Sequence, residues 1–96
     1  KMKKYLLHIT AGAPVYYLNA ISTIAGALIA NGGYNSTRHK NGTYTICYDS
    51  AEELEGSIKA AAAEINDEHG EGSASFSETS ISYDSAYSEF EVVDED

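Results

Sequence analysis

Two runs of alternating residues within residues 34–48 meet at the dipeptide Asn41-Gly42. Asn-Gly favours the two-residue type I′ turn, whose twist matches that of a β-hairpin. In the second run, apolar residues recur at every second position from Tyr44 to Tyr48. The first run is polar on both faces, which is typical of an edge strand that resists aggregation. The pattern therefore predicts a hairpin in the middle of the chain.

A strand and a helix are predicted before this hairpin. Residues 3–11 alternate, with the apolar side chains from Tyr5 to Ala11 at odd positions, where they face the core. Pro14 suits the first turn of a helix, where its missing N–H is not needed. A Gly-rich stop follows Ala30, so we expect a helix from Pro14 to about Ala30. Its expected buried stripe is Tyr17 or Leu18, Ile21, Ile24, Ala25 and Leu28.

A second helix is predicted after the hairpin. Ser50 and Glu53 form a capping box, with Ser50 as the N-cap, and Gly70 marks the end of the pattern. The early acidic residues also suit the positive end of the helix dipole. The expected buried stripe is Ala51, Leu54, Ile58, Ala61 and Ile65.

The last part of the chain alternates with an inconsistent phase. Phe76 stands at an even position and Ile81 at an odd one, which predicts either a bulge near residues 78–80 or two short strands. Tyr87 to Val93 suits a further short strand. The order β-α-β-β-α-β predicts an α+β, ferredoxin-like fold: a four-stranded antiparallel sheet with two helices on one face and neighbouring first and last strands. We expect one domain over residues 1–93 and an acidic tail over 94–96.

Charge is segregated along the chain. Residues 1–48 contain five of the six basic residues and no acid, whereas residues 49–96 contain all 15 Asp and Glu residues and one base, Lys59. The formal charges of the halves are therefore +5 and −14. Such a pattern predicts electrostatic binding to a basic partner, and a chain of net charge −9 is not expected to bind nucleic acid directly.

Motifs that would indicate catalysis, a cofactor or a metal were sought. The chain has no Gly-rich phosphate loop, and its one cysteine, Cys47, excludes an intrachain disulfide. Cys47 with His8 or His39 is a conceivable nucleophilic pair on the sheet face opposite the helices, but a strand cysteine beside a histidine usually only packs. His8, His39, His69 and Cys47 lack the short spacings of zinc motifs. We expect no enzyme activity, no cofactor and no metal site.

The chain is expected to lie in the cytoplasm and not in a membrane. The apolar run after Lys3-Lys4 is about six residues long, shorter than a signal peptide requires. The uncharged run from Val15 to Asn31 contains too many polar residues to span a bilayer. A lone cysteine also fits a reducing compartment.

In size, charge and layout, the chain resembles small acidic inhibitors encoded by phages, the DNA mimics and anti-CRISPR proteins. The resemblance implies a non-enzymatic inhibitor that occupies a basic, nucleic-acid-binding surface of another protein in the host cytoplasm. Carboxylates on a rigid helix can replace phosphates in such a groove because both present negative oxygens to Lys and Arg. The candidate partner-binding residues are Glu52, Glu55, Glu64, Asp67, Glu68, Glu71, Tyr83 and Tyr87.

An alternative is a small ligand-binding regulatory or oligomeric structural domain. The outer face of the first predicted helix has no charge, whereas a solvated helix face normally carries charged residues. Small residues four apart on this face would let another backbone approach closely, as in a homodimer. The candidate residues of this face are Tyr16, Asn19, Ser22, Gly26 and Ala30.

Overall fold

A computed structural model describes residues 2–12 and 18–95 of the chain. Two helices pack on one side of a six-stranded antiparallel sheet of order β2-β3-β1-β6-β5-β4. The elements are β1 (Met2–Ala11), α1 (Leu18–Ala30), β2 (Tyr34–Arg38), β3 (Tyr44–Tyr48), α2 (Ala51–His69), β4 (Ala74–Phe76), β5 (Ile81–Tyr83) and β6 (Ala86–Glu95).

The predicted α+β class is confirmed, but the prediction of four strands is wrong. The last alternating segment forms two short strands, β4 and β5, which is one of its two predicted alternatives. They are joined by a turn that the Ser77 N–H closes on the Ser80 carbonyl at 2.9 Å. This turn resolves the phase conflict, because Phe76 and Ile81 are opposite each other in neighbouring strands and share a face.

The strand next to β1 is β6, which is longer than the sequence suggested. It pairs with β1 along its whole length, from Ala86 opposite Ala11 to Glu95 opposite Met2. The neighbour of β1 on this side is therefore the strand predicted as a further short one, and not the segment 71–83 that was expected to complete the four-stranded sheet. Asp94, assigned from sequence to an acidic tail, lies in this strand opposite Lys3. Pairing with β1 thus extends regular structure into the predicted tail.

The central hairpin forms where the alternating runs predict it, with β2 at the edge of the sheet. Its turn differs from the predicted type I′ form, because Gly42 has a positive φ of 90° and Asn41 does not. The Gly42 N–H donates to the His39 carbonyl at 2.9 Å, and the Asn41 side chain accepts the Thr43 N–H at 3.1 Å. The asparagine thus stabilises a wider loop through its side chain.

The core lies between the helices and one face of the sheet. In β1 only Leu7 and Ile9 are fully buried, with Tyr5 and Ala11 packed at the edges of the core, as their odd positions predict. The predicted helix stripes are buried except for Leu18, which is half-buried, and Ala51, which is exposed at the start of α2. Residues 13–17 lie outside the described part, and so does the predicted start of the first helix.

The signals that start and end α2 act as predicted. The Glu53 N–H donates to the Ser50 hydroxyl at 3.1 Å, and the Gly70 N–H donates to the Asn66 carbonyl at 2.9 Å. Gly70 has a φ of 112°, which a residue with a side chain rarely adopts. The acidic helix is therefore held at both ends. Neither helix in the described residues combines the length and the hydrophobicity that crossing a membrane requires.

Candidate functional site

The exposed side of α2 carries its carboxylates in two groups. The first group, Glu52, Glu53 and Glu55, lies at the start of the helix, and the second, Glu64, Asp67 and Glu68, lies near its end. At 1.5 Å of rise per residue, about 14 Å of helix axis separates Glu55 from Glu64. The exposed residues between the groups are small or basic: Gly56, Lys59, Ala60 and Ala63.

Three of these six carboxylates have partners within the protein, and the first is Glu53, which accepts a hydrogen bond from the Ser50 hydroxyl at 3.3 Å. Glu64 accepts a hydrogen bond from the Asn31 amide at 3.2 Å, and Glu68 lies 3.9 Å from His69 Nε2. In the described part of the chain, Glu52, Glu55 and Asp67 make no side-chain hydrogen bond or ion pair. Their negative charge is therefore directed to solvent and open to a partner.

A groove runs between the C-terminal half of α2 and β4. Asn66 of α2 joins the helix to β4 on one side of this groove. Its side-chain oxygen accepts the Ala74 N–H at 2.6 Å, and its side-chain amide donates to the Ala74 carbonyl at 3.4 Å. Phe76, two residues further along β4, is 51% exposed and lies in this groove beside carboxylates. The groove has a volume of about 620 Å³ and is lined by Lys59, Ala63, Asn66, Asp67, Gly70, Glu71 and Phe76.

The two tyrosines predicted as anchors do not lie beside the carboxylates of α2 as a pair. Tyr83 is half-buried against the core, and its ring is tilted by 39° against His69 at a centroid distance of 5.1 Å. Tyr87 is exposed but lies opposite Thr10, on the sheet face that the helices do not cover. The exposed aromatic ring next to the acids is instead Phe76. In the sequence, this residue was distinguished only by its even position, which conflicts with the odd position of Ile81 in the same alternating segment.

The outer face of α1 is exposed and uncharged, as the alternative hypothesis requires. Asn19, Ser22, Gly26 and Ala30 are all exposed, and a Cβ added at Gly26 would meet no atom within 4 Å. Tyr16, the fifth residue of this predicted face, lies outside the described residues. The described part of this face therefore presents small or uncharged side chains to solvent.

The sheet face opposite the helices, here called the open sheet face, carries two polar clusters. In the first, Lys4 donates to Asp49 at 3.0 Å and also to the Tyr34 hydroxyl, which itself donates to Asp49. The Tyr34 hydroxyl and the Lys4 ammonium hold the pKa of Asp49 below its ordinary value. Hydrogen bonds to Tyr34 and Asp49 raise the pKa of Lys4, and the bond to Asp49 raises the pKa of Tyr34.

The second cluster joins β6, β1, β3 and the hairpin loop. His8 Nε2 lies 2.7 Å from a Glu91 oxygen, His8 Nδ1 lies 3.0 Å from the Thr45 hydroxyl, and His39 Nε2 lies 2.8 Å from that hydroxyl. A carboxylate only accepts, so a neutral His8 donates from Nε2 and accepts the Thr45 proton at Nδ1. The Thr45 oxygen then accepts from His39. Each of these four side chains therefore has a hydrogen-bond partner.

This second cluster orders a nucleophile, a base and a carboxylate as acyl-transfer enzymes do. Thr45 lies in β3 between β1 and β2, opposite His8 on one side and Thr37 on the other. A neighbouring strand therefore flanks Thr45 on each side. Cys47 also lies on the open sheet face, as predicted, opposite Leu6. Its thiol is 3.8 Å from the Asn35 carbonyl.

Among the described residues, no group of three or more His, Cys, Asp or Glu side chains is arranged to hold a metal ion. Comparisons with protein-family models, with curated proteins and with solved structures found no match to this chain.

Proposed function

We propose that the protein is a non-enzymatic binding module whose acidic helix α2 docks on a basic surface of another protein. One observation carries the proposal: the exposed ring of Phe76 shares a groove with the carboxylates of Asp67 and Glu71. An aromatic face beside carboxylates suits a Lys or Arg side chain, because the ring attracts the cation and the carboxylates accept its hydrogen bonds.

The two acidic groups of α2 add long-range attraction to this local contact. Exposed charges of one sign speed the encounter with an oppositely charged surface, although each exposed ion pair adds little affinity. An aromatic anchor supplies the contact area that charge alone does not. The small residues between the acidic groups, Gly56, Ala60 and Ala63, let a partner surface approach the helix closely.

We further propose that the partner surface normally binds nucleic acid and that docking of α2 inhibits the partner. Support comes from the exposed, unpaired carboxylates of a helix capped at both ends, which present negative oxygens in a fixed arrangement. We propose an anti-defence protein of the anti-CRISPR or DNA-mimic type, encoded by a phage and acting in the host cytoplasm. We also interpret β2-β3-β1-β6 with the two helices as a ferredoxin-like core that the β4-β5 hairpin extends.

A second candidate function is self-association through the outer face of α1. It is favoured by the exposed, uncharged run of Asn19, Ser22, Gly26 and Ala30, next to Ile29, which is 39% exposed. Light scattering at high protein concentration tests it. A strict monomer would remove this candidate and leave the α2 proposal intact.

The proposed function is tested by affinity capture from a lysate followed by a salt titration. The bait is the whole chain, with a second bait that carries Asp67→Asn, Glu71→Gln and Phe76→Ala. We expect one partner to be retained by the first bait only and to be released as salt rises, because exposed ion pairs are screened. A partner retained equally by both baits, or unaffected by high salt, would refute docking through the groove.

A further inference from the structure

The outer edge of β6 has no neighbouring strand over most of its length. On that side β5 pairs with Ala86 and Tyr87, and there the ladder stops. At the next position the Ser88 hydroxyl, rather than a backbone carbonyl, accepts the Ile81 N–H at 2.8 Å. From Glu89 to Asp94, β6 has β1 on one side and no other described strand on the other. Alternate residues of a strand direct their N–H and C=O groups to the same side, so half of this backbone faces outwards.

The side chains of this edge segment, residues 89–94, alternate in character. Phe90 and Val92 lie on the helix side of the sheet, yet they are 39% and 42% exposed. Glu89 and Glu91 lie on the open sheet face and are exposed. The apolar row and the acidic row are thus both open to a neighbouring strand.

The other two sheet edges are protected in ways that this segment is not. Strand β2 is polar and has a register shift between Tyr34 and Thr37, and β4 has only three residues. Natural proteins blunt exposed edges with bulges, short strands, lysines or prolines. The edge segment of β6 has none of these devices, and its only charges are acidic.

We propose that this edge segment is a second binding site, which accepts an extended peptide of alternating apolar and basic residues as an added strand. The apolar residues of the peptide lie beside Phe90 and Val92, and its Lys or Arg residues lie opposite Glu89 and Glu91. Main-chain hydrogen bonds hold such a peptide, and alternate side chains select it. The site is separate from the α2 groove and does not depend on it.

Acidic charge also argues against a second copy of this chain as the occupant. Antiparallel pairing of two edge segments centred on Glu91 places Glu91 opposite Glu91, and pairing centred on Phe90 places Glu89 opposite Glu91. Like charges directly opposite each other destabilise a strand pair, whereas opposite charges stabilise it. The occupant that fits is therefore basic.

The test uses the whole chain and a blocked eight-residue peptide that alternates lysine and valine. Backbone NMR shifts and amide exchange are measured as the peptide is added. We expect the shifts and the new amide protection to fall on residues 89–94. A peptide of the same sequence with alternate backbone amides N-methylated tests for strand addition, because it keeps the charge but loses half of its N–H donors. We expect it to bind at least about tenfold more weakly.

Charge selection is tested by Glu89→Lys, with Glu78→Lys in the β4–β5 turn as the control that has the same change in net charge. We expect Glu89→Lys to weaken binding about fivefold and Glu78→Lys to leave it nearly unchanged. Equal binding of the N-methylated peptide, with shifts on α2, would show attraction to the acidic helix only and overturn the proposal. Concentration-dependent protection of residues 89–94 without peptide would assign the edge to a homodimer and also overturn it. A failure of the α2 groove to bind its partner would change neither result.

Discussion

The hydroxyl oxygens of Tyr48 and Ser57 lie 2.6 Å apart inside the core. Ser57 also donates to the Leu28 carbonyl at 3.2 Å, so its proton is used there and Tyr48 is the donor of the shorter bond. Three elements, β3, α2 and α1, are joined by this chain of two hydrogen bonds. Burial raises the pKa of Tyr48, so its hydroxyl stays protonated and able to donate.

Ser57 is the middle member of this hydrogen-bond chain, so the loss of its hydroxyl should lower the free energy of unfolding more than the loss of the Tyr48 hydroxyl. Ser57→Ala leaves the Tyr48 hydroxyl buried without an acceptor, and we expect the free energy of unfolding to fall by about 1–3 kcal/mol. Tyr48→Phe leaves Ser57 bonded to Leu28 and should cost about 0.5–1.5 kcal/mol. Urea unfolding measures both. A larger loss for Tyr48→Phe would contradict this direction of donation.

Two glycines are expected to respond in opposite ways to substitution by alanine. A Cβ at Gly33 would meet Ile46 Cγ2 at 2.5 Å and the Leu28 carbonyl at 3.1 Å, so Gly33→Ala should destabilise by about 1–3 kcal/mol. Gly26 lies in the exposed interior of α1 with open space around it. Gly26→Ala should stabilise by about 0.5–1 kcal/mol. Thermal unfolding of both variants checks the prediction, and changes of the same sign would contradict it.

Local signals explain which parts of the fold were predictable. The capping box at Ser50 and the three-and-four spacing of its stripe depend on neighbours in sequence, and α2 forms as they indicate. The alternation on either side of Asn41-Gly42 likewise identified β2 and β3, although the turn type was wrong.

The remaining features depend on contacts between residues far apart in sequence. The length of β6 follows from its pairing with β1, and the pairing of β5 with β6 stops where the Ser88 hydroxyl accepts the Ile81 N–H. Neither contact leaves a local pattern. The candidate groove depends on the hydrogen bonds by which Asn66 joins β4 to α2. They bring Phe76 close to Asp67 and Glu71, and no spacing in the sequence predicts this proximity.

The Lys4–Tyr34–Asp49 cluster predicts a defined pH dependence. The pKa of Asp49 is lower in the folded chain than its ordinary 3.8, so its contribution to stability is present above pH 3.8 and is lost as pH falls through the folded value. The pKa values of Lys4 and Tyr34 are raised, so their contributions are present below 10.5 and 10.0 and are lost as pH rises through the folded values.

NMR titration of the folded chain and of Asp49→Asn checks this dependence. We expect Asp49 to titrate below 3.8 and the stability difference between the two proteins to shrink at acid pH, where the carboxylate is protonated. The pKa of Tyr34 should fall towards its ordinary value in the variant, because the hydrogen bond to Asp49 is its largest perturbation. An unchanged Tyr34 titration would contradict the proposed cluster.

The groove predicts that two exposed phenylalanines differ in function. Phe76→Ala should weaken binding of the captured basic partner about tenfold, since aromatic anchors in an interface commonly contribute more than 1 kcal/mol. Phe90, which is 39% exposed on the distant part of β6, provides the matched control. Phe90→Ala should leave this affinity within about twofold of the unchanged chain. Isothermal titration calorimetry with the purified partner measures both, and equal losses would argue against the groove.

The central claim is that the carboxylates of α2, and not the net charge of the chain, hold the partner. Two variants test it, each with three exposed carboxylates changed to amides. One carries Glu52→Gln, Glu55→Gln and Asp67→Asn on α2, and the other carries the matched changes Glu78→Gln, Asp84→Asn and Asp94→Asn elsewhere.

The deciding measurement is the Kd of each variant for the captured partner at low and at physiological salt. We expect the α2 variant to bind about tenfold more weakly at low salt and to depend less on salt, because each exposed ion pair contributes about 0.2–1 kcal/mol. The matched variant should bind nearly as tightly as the unchanged chain. Equal weakening of both variants would show that total charge alone attracts the partner, and this result would contradict the claim.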